Sequence, residues 1–275
     1  MNRIETTFDR LRREGRKGLI TFLTAGDPHP DQTVPLLHGL VEAGVDVLEL
    51  GIPFTDPLAD GPVIQRASER ALAHDVTLDD VLEMVRRFRA EDPDTPVVLM
   101  GYANPVERMG PARFAERAAA AGVDGLLTVD MPPEEAGEWY GPLPEAGVAP
   151  IMLVAPTTSE ERLDETLEQA RGFVYYVSMT GVTGGGGLDV ASVGEHVAPI
   201  RARTDLPVAV GFGVRDADSA AAVAGAADAV VVGSALIRTV EAHVGGSDPG
   251  ALRAALAEQV ADLRQGVDRQ AVPPS

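Results

Sequence analysis

Residues 43 to 50 read Ala43-Gly44-Val45-Asp46-Val47-Leu48-Glu49-Leu50, and they contain a transition that recurs along the chain. Gly44 ends a segment whose apolar residues follow helical spacing, and the next run, Val45–Leu50, is short and apolar enough for a buried strand. The same four residues, Ala-Gly-Val-Asp, recur at Ala121–Asp124 before another apolar run. Continuous apolar runs are typical of parallel strands covered on both faces. The pattern therefore predicts helices and parallel strands in regular alternation.

Eight apolar runs alternate with helical segments along the chain. The predicted strands are a run from Gly18 to the turn Gly26-Asp27-Pro28, then Val45–Leu50, Thr95–Tyr102, Gly125–Val129, Ala149–Val154, Phe173–Ser178, Pro207–Val210 and Ala229–Val232. The predicted helices include Thr6–Arg16, Val63–His74, Leu78–Ala90, Phe114–Gly122, Glu134–Ala146, Glu160–Ala170, Val190–Arg203, Ala217–Ala224, Ser234–His243 and Pro249–Gln265. Eight such units in about 250 residues are typical of a (β/α)8 barrel, with a doubly wound open sheet as the alternative.

We therefore expect an α/β fold of the (β/α)8 TIM-barrel type with an extra N-terminal helix. No linker interrupts the alternation, so residues 1–266 are predicted to form a single domain. The polar segment 267–275 is predicted to be a disordered tail.

The charge balance is strongly acidic, with 42 acidic against 23 basic residues and a net charge of −19. Such a surface argues against nucleic acid and anionic membranes as partners, because both attract positive patches. Lys17 is the one lysine. Together these features suggest adaptation to concentrated salt, where screening relieves self-repulsion; a GC-rich genome that favours Arg over Lys is the alternative. Equal stability in dilute buffer and in molar potassium chloride would contradict the salt hypothesis.

The chain contains no cysteine, which excludes disulfides, thiolate nucleophiles and cysteine-ligated metals. Its first residues lack the apolar core of a signal peptide, and no apolar run approaches the ~20 residues of a membrane span. We expect a soluble, cytoplasmic protein.

Two carboxylates carry the predicted chemistry. Glu49 lies inside an apolar run, where an unpaired charge is costly, and Asp60 follows eleven positions later on a loop bounded by Pro53 and Pro62. In a barrel the active site lies at the carboxyl ends of the strands. The residues at those ends are Phe22, Glu49, Tyr102, Val129, Asp130, Tyr175, Gly211, Phe212, Gly213, Gly233 and Ser234. Glu49 and Asp60 are therefore predicted to be an acid/base pair.

Glycines follow the last predicted strands. Gly211-Phe212-Gly213 and Gly233-Ser234 occupy the places where barrels bind phosphate, and Gly184–Gly187 can add a third wall. Since glycine lets backbone N–H groups approach an anion, we predict a phosphorylated substrate.

Other chemistries fit the sequence less well. A Schiff-base aldolase needs a lysine at the mouth, whereas Lys17 precedes the first strand at the opposite end. The histidines are scattered over turns and helices: His29, His38, His74, His196 and His243. We predict no metal site, with a magnesium site at Glu49, Asp56 and Asp60 as the alternative.

The segment Leu48–Pro62 closely resembles the signature of the tryptophan synthase alpha chain family. Agreement extends over nearly the whole chain, at Thr24–Pro28, Met100–Pro105, Asp130–Glu135, Gly181–Gly184, Gly211–Gly213 and Gly233–Ala235. The resemblance implies cleavage of indole-3-glycerol phosphate to indole and glyceraldehyde 3-phosphate, with no cofactor in this chain. It also implies an α2β2 tetramer with a beta chain, which uses pyridoxal phosphate and converts the indole to L-tryptophan.

The resemblance also implies residue roles. Glu49 would move protons between the substrate hydroxyl and C3 of the indole, and Asp60 would accept the indole N–H bond. The apolar flanks of Glu49 predict a raised pKa. The residues implied to bind substrate are Phe22, Tyr102, Leu127, Tyr175 and Phe212 around the indole, Gly184, Gly213, Gly233 and Ser234 at the phosphate, and Thr183 on a lid. Asp56, Pro57 and Asp130 would face the beta chain; the alternative is that they are solvated turn residues.

The sequence departs from the family pattern at two places. Thr55 replaces the commoner serine, which is a mild change. Gly185-Gly186-Gly187 replaces mixed residues, and extra glycines raise the entropy lost on ordering a loop. We therefore predict weak closure of the Ser178–Gly187 lid without the partner chain.

Two further functions remain as alternatives at this stage. Another phosphosugar barrel enzyme, such as an isomerase or a metal-assisted aldolase, would share the phosphate site and would be sensitive to EDTA. A non-catalytic activator of the beta chain would keep the fold but would have lost turnover.

Overall fold

The computed structural model describes residues 2–177, 190–211, 213–246 and 248–271. In these ranges nine parallel strands form one sheet. They are β1 (Gly18–Thr24), β2 (Val47–Gly51), β3 (Val97–Gly101), β4 (Gly125–Thr128), β5 (Ala149–Pro150), β6 (Met152–Val154), β7 (Val174–Val177), β8 (Val208–Gly211) and β9 (Ala229–Val232). The order across the sheet is β5-β4-β3-β2-β1-β9-β8-β7-β6.

The two ends of that order are consecutive in the chain, so the sheet curls round on itself. β5 pairs with β4, and β6 pairs with β7. Ile151 separates β5 from β6, yet its N–H still donates to the carbonyl of Leu126 at 2.8 Å. β5 and β6 together are the predicted fifth strand, Ala149–Val154. The (β/α)8 barrel prediction is confirmed, and the open-sheet alternative is wrong.

Helices surround the sheet. They are α1 (Arg3–Arg13), α2 (Pro30–Glu42), α3 (Pro62–Leu72), α4 (Leu78–Arg89), α5 (Ala103–Met109), α6 (Pro111–Ala121), α7 (Pro133–Tyr140), α8 (Pro142–Glu145), α9 (Glu160–Gln169), α10 (Val190–Arg201), α11 (Ala217–Ala224), α12 (Ser234–Ala242) and α13 (Pro249–Asp268). None of those in the described ranges combines the length and the apolar character needed to cross a membrane.

Several helix predictions need correction, among them Phe114–Gly122, because α6 already begins at Pro111. The first helix starts before Thr6, because Asn2 caps it by accepting from the N–H of Ile4 at 2.9 Å. The short helix α5 was not predicted, and the predicted helix Glu134–Ala146 is two helices, divided before Pro142. The predicted tail begins two residues too early, because Val267 is fully buried and α13 continues to Asp268. Residues 272–275 lie outside the described ranges.

The extra N-terminal helix closes the bottom of the barrel. Ile4, Phe8 and Leu11 belong to the same buried cluster as the inward-facing strand residues. The ring of Phe8 lies 5.8 Å from that of Phe173, measured between centroids. One side of α1 is therefore apolar because it plugs the barrel interior.

Three aspartates at the amino ends of strands fix the bottom of the barrel: Asp46, Asp124 and Asp228. Each accepts a hydrogen bond from a backbone N–H of the neighbouring strand that precedes it along the chain, at Leu19 (3.0 Å), Val97 (2.9 Å) and Val208 (2.9 Å). Each also accepts from a guanidinium, of Arg264 (2.8 Å), Arg89 (2.7 Å) and Arg201 (2.8 Å). These carboxylates join neighbouring strands to the surrounding helices.

The repeated Ala-Gly-Val-Asp segments explain two of these joints. Gly122 has a φ of +89°, and a Cβ there would lie 2.6 Å from Cγ of Arg89. Gly44 has a φ of +108°, and a Cβ would lie 3.1 Å from Cγ of Arg264. In both segments glycine leaves room for the arginine that pairs with the aspartate two residues later, so the repeat is structural.

Candidate active site

Glu49 lies inside the barrel near the carboxyl end of β2. The register places it beside Phe22 of β1 and Val98 of β3. It is only 1% exposed, and neither carboxylate oxygen has a hydrogen-bond partner among the described residues. Burial raises the pKa of Glu49 from 4.5 to about 8. The side chain is therefore mainly protonated at neutral pH and can serve as an acid.

Tyr175 occupies the same interior from β7. It is buried, and its pKa is raised by burial first and then by the charge of Glu49. Gly211 on β8 leaves space for it, because a Cβ there would collide with the Tyr175 hydroxyl. Leu127 is also fully buried in this interior cluster. Both residues thus belong to the buried interior of the barrel, and their contact with substrate stays a prediction.

Asp60 is held on the loop between β2 and α3 by Tyr102. The Tyr102 hydroxyl donates to Oδ2 of Asp60 at 3.1 Å and accepts from the N–H of Ala59 at 3.0 Å. Burial raises the pKa of Asp60, and the hydrogen bond from Tyr102 opposes that rise. Phe54 stacks on the Tyr102 ring, with centroids 5.0 Å apart. Tyr102 thus orients the second carboxylate.

A small cleft lies beside Asp60 and Tyr102 at the mouth of the barrel. Its walls are Phe22, Thr24, Gly51, Ile52, Asp60, Ile64, Ser68, Met100, Gly101, Tyr102 and Val129. Gly51 must be small, since a Cβ there would lie 2.6 Å from Cζ of Phe22. Sequence reasoning missed Ile64 and Ser68, although their four-residue spacing puts both on one face of α3.

Two of the predicted phosphate residues, Gly233 and Ser234, lie at the start of α12. Gly233 precedes this helix, and no side chain caps its first N–H groups. Ser234 is exposed, and Gly213 is exposed with a φ of +50°. An uncapped helix start with glycine beside it can bind an anion. Thr183, Gly184 and Phe212 lie outside the described residues, as does the predicted Ser178–Gly187 lid.

The residues predicted to face the beta chain lie on the loops after β2 and β4, which form part of the rim of the barrel mouth. Asp56 is exposed and accepts from the Thr55 hydroxyl at 2.6 Å. Asp130 is exposed and accepts from the N–H of Ala103 at 2.8 Å, at the start of α5. Pro57 is half-buried, whereas Leu58 beside it is 91% exposed.

The described residues offer little support for Schiff-base or metal-dependent chemistry. Lys17 lies at the amino end of β1 and pairs with Asp228 at 3.8 Å, away from the mouth. Within the described ranges, no group of three or more His, Asp or Glu side chains could hold a metal ion. The arrangement that remains is a protonated carboxyl, a braced carboxylate and a helix start suited to phosphate.

The family model of the tryptophan synthase alpha chain matches residues 8–267. The chain belongs to this family. It is 59% identical to the tryptophan synthase alpha chain of Alkalilimnicola ehrlichii over 268 residues, which cover 98% of this chain and 97% of that relative. It is 58% identical to the alpha chain of Thioalkalivibrio sulfidiphilus, covering 98% of this chain and all of the relative.

Solved structures of tryptophan synthase alpha subunits agree with the fold. The alpha subunit from Legionella pneumophila superposes with a TM-score of 0.91 at 46% identity, covering 98% of this chain and 99% of that one. The tryptophan synthase alpha chain is the carbon–carbon lyase component that cleaves indole-3-glycerol phosphate, and it works with a beta chain. The isomerase and metal-assisted aldolase alternatives are therefore set aside.

Proposed function

We propose that Glu49 and Asp60 of this chain catalyse the retro-aldol cleavage of indole-3-glycerol phosphate. The observation that carries the proposal is the burial of Glu49, whose carboxyl lies without a partner among the described residues and has a pKa of about 8. Such a group can donate a proton and then take one back near neutral pH. Asp60 in the neighbouring cleft supplies a second carboxylate, which accepts a hydrogen bond and does not itself transfer a proton.

The proposed reaction starts at C3 of the indole ring. Glu49 donates its proton to C3, which turns the ring into a cationic indolenine, and Asp60 accepts the N–H bond of that cation. Glu49, now a carboxylate, takes the proton of the side-chain hydroxyl. The bond between C3 and the side chain breaks, its electron pair returns to the ring, and the hydroxyl carbon becomes the aldehyde of glyceraldehyde 3-phosphate. Indole leaves, and Glu49 is protonated again.

We also propose which residues bind the substrate. The indole is assigned to Phe22, Tyr102, Leu127, Tyr175 and Phe212. The phosphate is assigned to the start of α12, with Gly184, Gly213, Gly233 and Ser234, and Thr183 to the lid. Support comes from Phe22 and Tyr102, which line the cleft, and from the uncapped N–H groups after Gly233.

No cofactor enters the proposed steps. The protonated indole ring accepts the electron pair of the broken bond, so neither an imine nor a metal is needed to hold it. Pyridoxal phosphate is expected only in the beta chain, where indole is converted to L-tryptophan.

Asp60→Asn is expected to lower kcat for indole release by about 10²–10³-fold, because asparagine cannot balance the positive charge of the indolenine. The measurement is indole release from indole-3-glycerol phosphate by wild type and variant. Asp56→Asn is the matched control on the same loop, and we expect it to keep turnover in the isolated chain. An unchanged rate in Asp60→Asn would remove Asp60 from the mechanism. No indole release from wild type, alone or with a beta chain, would instead favour the non-catalytic activator.

We also propose that the rim around Asp56, Pro57 and Asp130 binds the beta chain in an α2β2 tetramer. Leu58 supports this assignment. Leu58, beside Pro57, offers an apolar side chain for a partner to cover, and it is more exposed than any other large apolar residue in the described ranges.

Leu58→Ala is expected to weaken binding of the beta chain by about tenfold, since it removes most of an apolar contact. Titration of the labelled chain with beta chain measures the effect. Val244→Ala is the control, because Val244 is the second exposed large apolar residue (48%) and follows the far end of α12. Equal losses in both variants would argue against a specific site at the rim.

A further inference from the structure

Thr24 is a buried hydroxyl in the active-site cleft with no assigned role. It is the last residue of β1 and only 2% exposed, and its Oγ1 has no hydrogen-bond partner among the described residues. Most buried side-chain polar atoms in proteins are paired, because an unpaired one loses its bonds to water without replacement. Thr24 lines the cleft together with Asp60. An unpaired hydroxyl at this place therefore calls for a partner in the working state.

Asp60 has an open position for such a partner. Its Oδ2 accepts from Tyr102, while no described residue donates to its other oxygen, Oδ1. An ionised carboxylate accepts several hydrogen bonds, and each donor favours the ionised form. Oδ2 of Asp60 is thus held by a hydrogen bond, whereas Oδ1 can still accept one.

Thr24 lies on the side of β1 that faces the barrel interior and the cleft. Ile20 belongs to the interior cluster, and alternate residues point the same way, so Phe22 and Thr24 both reach the cleft. Thr24 is opposite Gly51 in the register with β2, and the loop that carries Asp60 begins just after Gly51.

We propose that the Thr24 hydroxyl is a second positioning donor to the Asp60 carboxylate, on the side away from Tyr102, when substrate occupies the cleft. This inference rests on the proposed role of Asp60. Thr24 acts through Asp60: it keeps the carboxylate ionised and aimed at the indole nitrogen.

The other described charged groups near the cleft do not donate a hydrogen bond to Asp60, because they are paired elsewhere or are themselves acids. Asp27, before α2, is bound by Arg70 of α3 at 2.7 and 2.8 Å. Arg66 of α3 is bound to Glu241 of α12. Glu49 on β2 is buried and mainly protonated at neutral pH. The carboxylates of Asp56 and Asp130, on the loops after β2 and β4, accept from Thr55 and from Ala103. No described cation forms an ion pair with Asp60.

The test compares Thr24→Val with Thr21→Val. Thr21 is on the same strand, fully buried, and its Oγ1 is also unpaired among the described residues, but it points outward with Leu19 and Leu23. The two variants therefore remove equivalent hydroxyls, only one of which faces the cleft. Thr24→Ser keeps the hydroxyl, and Tyr102→Phe removes the donor already seen in the structure.

We expect Thr24→Val to lower kcat for indole release by about tenfold, with a smaller change in KM. Because loss of a donor raises the pKa of Asp60, the acid limb of the pH profile of kcat should move to higher pH, as it should in Tyr102→Phe. Thr21→Val and Thr24→Ser should keep the wild-type rate and profile. Should Thr24→Val fail to fold, Thr24→Ala takes its place against Thr24→Ser.

The outcomes separate this inference from the function on which it rests. If Asp60→Asn loses activity while Thr24→Val matches Thr21→Val, the role of Thr24 is wrong and that of Asp60 stands. A fall in kcat for Thr24→Val without a shift of the acid limb also overturns it. If Asp60→Asn keeps full activity, the proposed function fails first.

Discussion

Glu49→Gln is expected to lower kcat for indole release by about 10³–10⁴-fold and, at alkaline pH, to make the chain more stable than wild type. Glutamine has nearly the same shape as glutamate but cannot deliver a proton to C3 or take one from the hydroxyl. Both halves of the proposed proton transfer are therefore lost in one substitution, while the walls of the cleft remain.

The stability effect follows from the raised pKa. The unfolded chain releases the Glu49 proton above its ordinary pKa of 4.5, whereas the folded chain keeps it until about pH 8. Over that interval wild type loses stability as pH rises, by about 1.4 kcal/mol per pH unit, or up to about 5 kcal/mol in total. Glutamine does not titrate, so the variant lacks this loss.

Urea unfolding at pH 5 and at pH 8 measures the effect. The stability of Glu49→Gln relative to wild type should grow between the two pH values, and Glu83→Gln, at an exposed position of α4, should show no such growth. A difference between Glu49→Gln and wild type that does not change with pH would mean that Glu49 is not protonated in the folded state. An active variant would contradict the mechanism directly.

Asp124→Ala is expected to destabilise the fold by about 3–5 kcal/mol, because it leaves a buried guanidinium without its carboxylate. Asp124 is 2% exposed and accepts from Arg89 at 2.7 Å, from Arg3 at 2.9 Å and from the N–H of Val97 at 2.9 Å. Burial already lowers the pKa of Arg89, so the loss of its partner is costly there.

Thermal unfolding should show this loss as a fall in Tm of roughly 6–20 °C. Asp94→Ala is the matched control, since Asp94 lies at the same end of the barrel but is exposed, and we expect its Tm to stay close to that of wild type. A Tm near that of wild type for Asp124→Ala would show that the aspartates at the amino ends of the strands contribute little.

Much of the fold could be predicted from the sequence because each strand–helix unit of the barrel has a local pattern of apolar residues. The apolar runs are continuous since both faces of each strand are covered, and their predicted bounds agree with the structure to within two residues over the described ranges. The errors fall where local pattern is weak. Helix α5 is too short to show periodicity, and the start of α1 depends on a single cap by Asn2.

The two carboxylates were also predictable, because an acidic residue inside an apolar strand conflicts with its surroundings. Their sequence positions could not show that Glu49 lacks a partner among the described residues, or that Tyr102 braces Asp60 across 42 positions. Both facts depend on which side chains from distant strands meet at the mouth.

Sequence alone thus determined the alternation of strands and helices, the position of the mouth and the family, since each is encoded by local composition and by motifs. Only the tertiary structure decided the environments. It showed that the Ala-Gly-Val-Asp repeats serve arginine–aspartate joints, that Ile64 and Ser68 of α3 line the cleft, and that Thr24 and Thr21 are equally unpaired but face opposite sides of one strand. Burial and hydrogen bonding arise from contacts between residues far apart in the chain, and no local pattern specifies them.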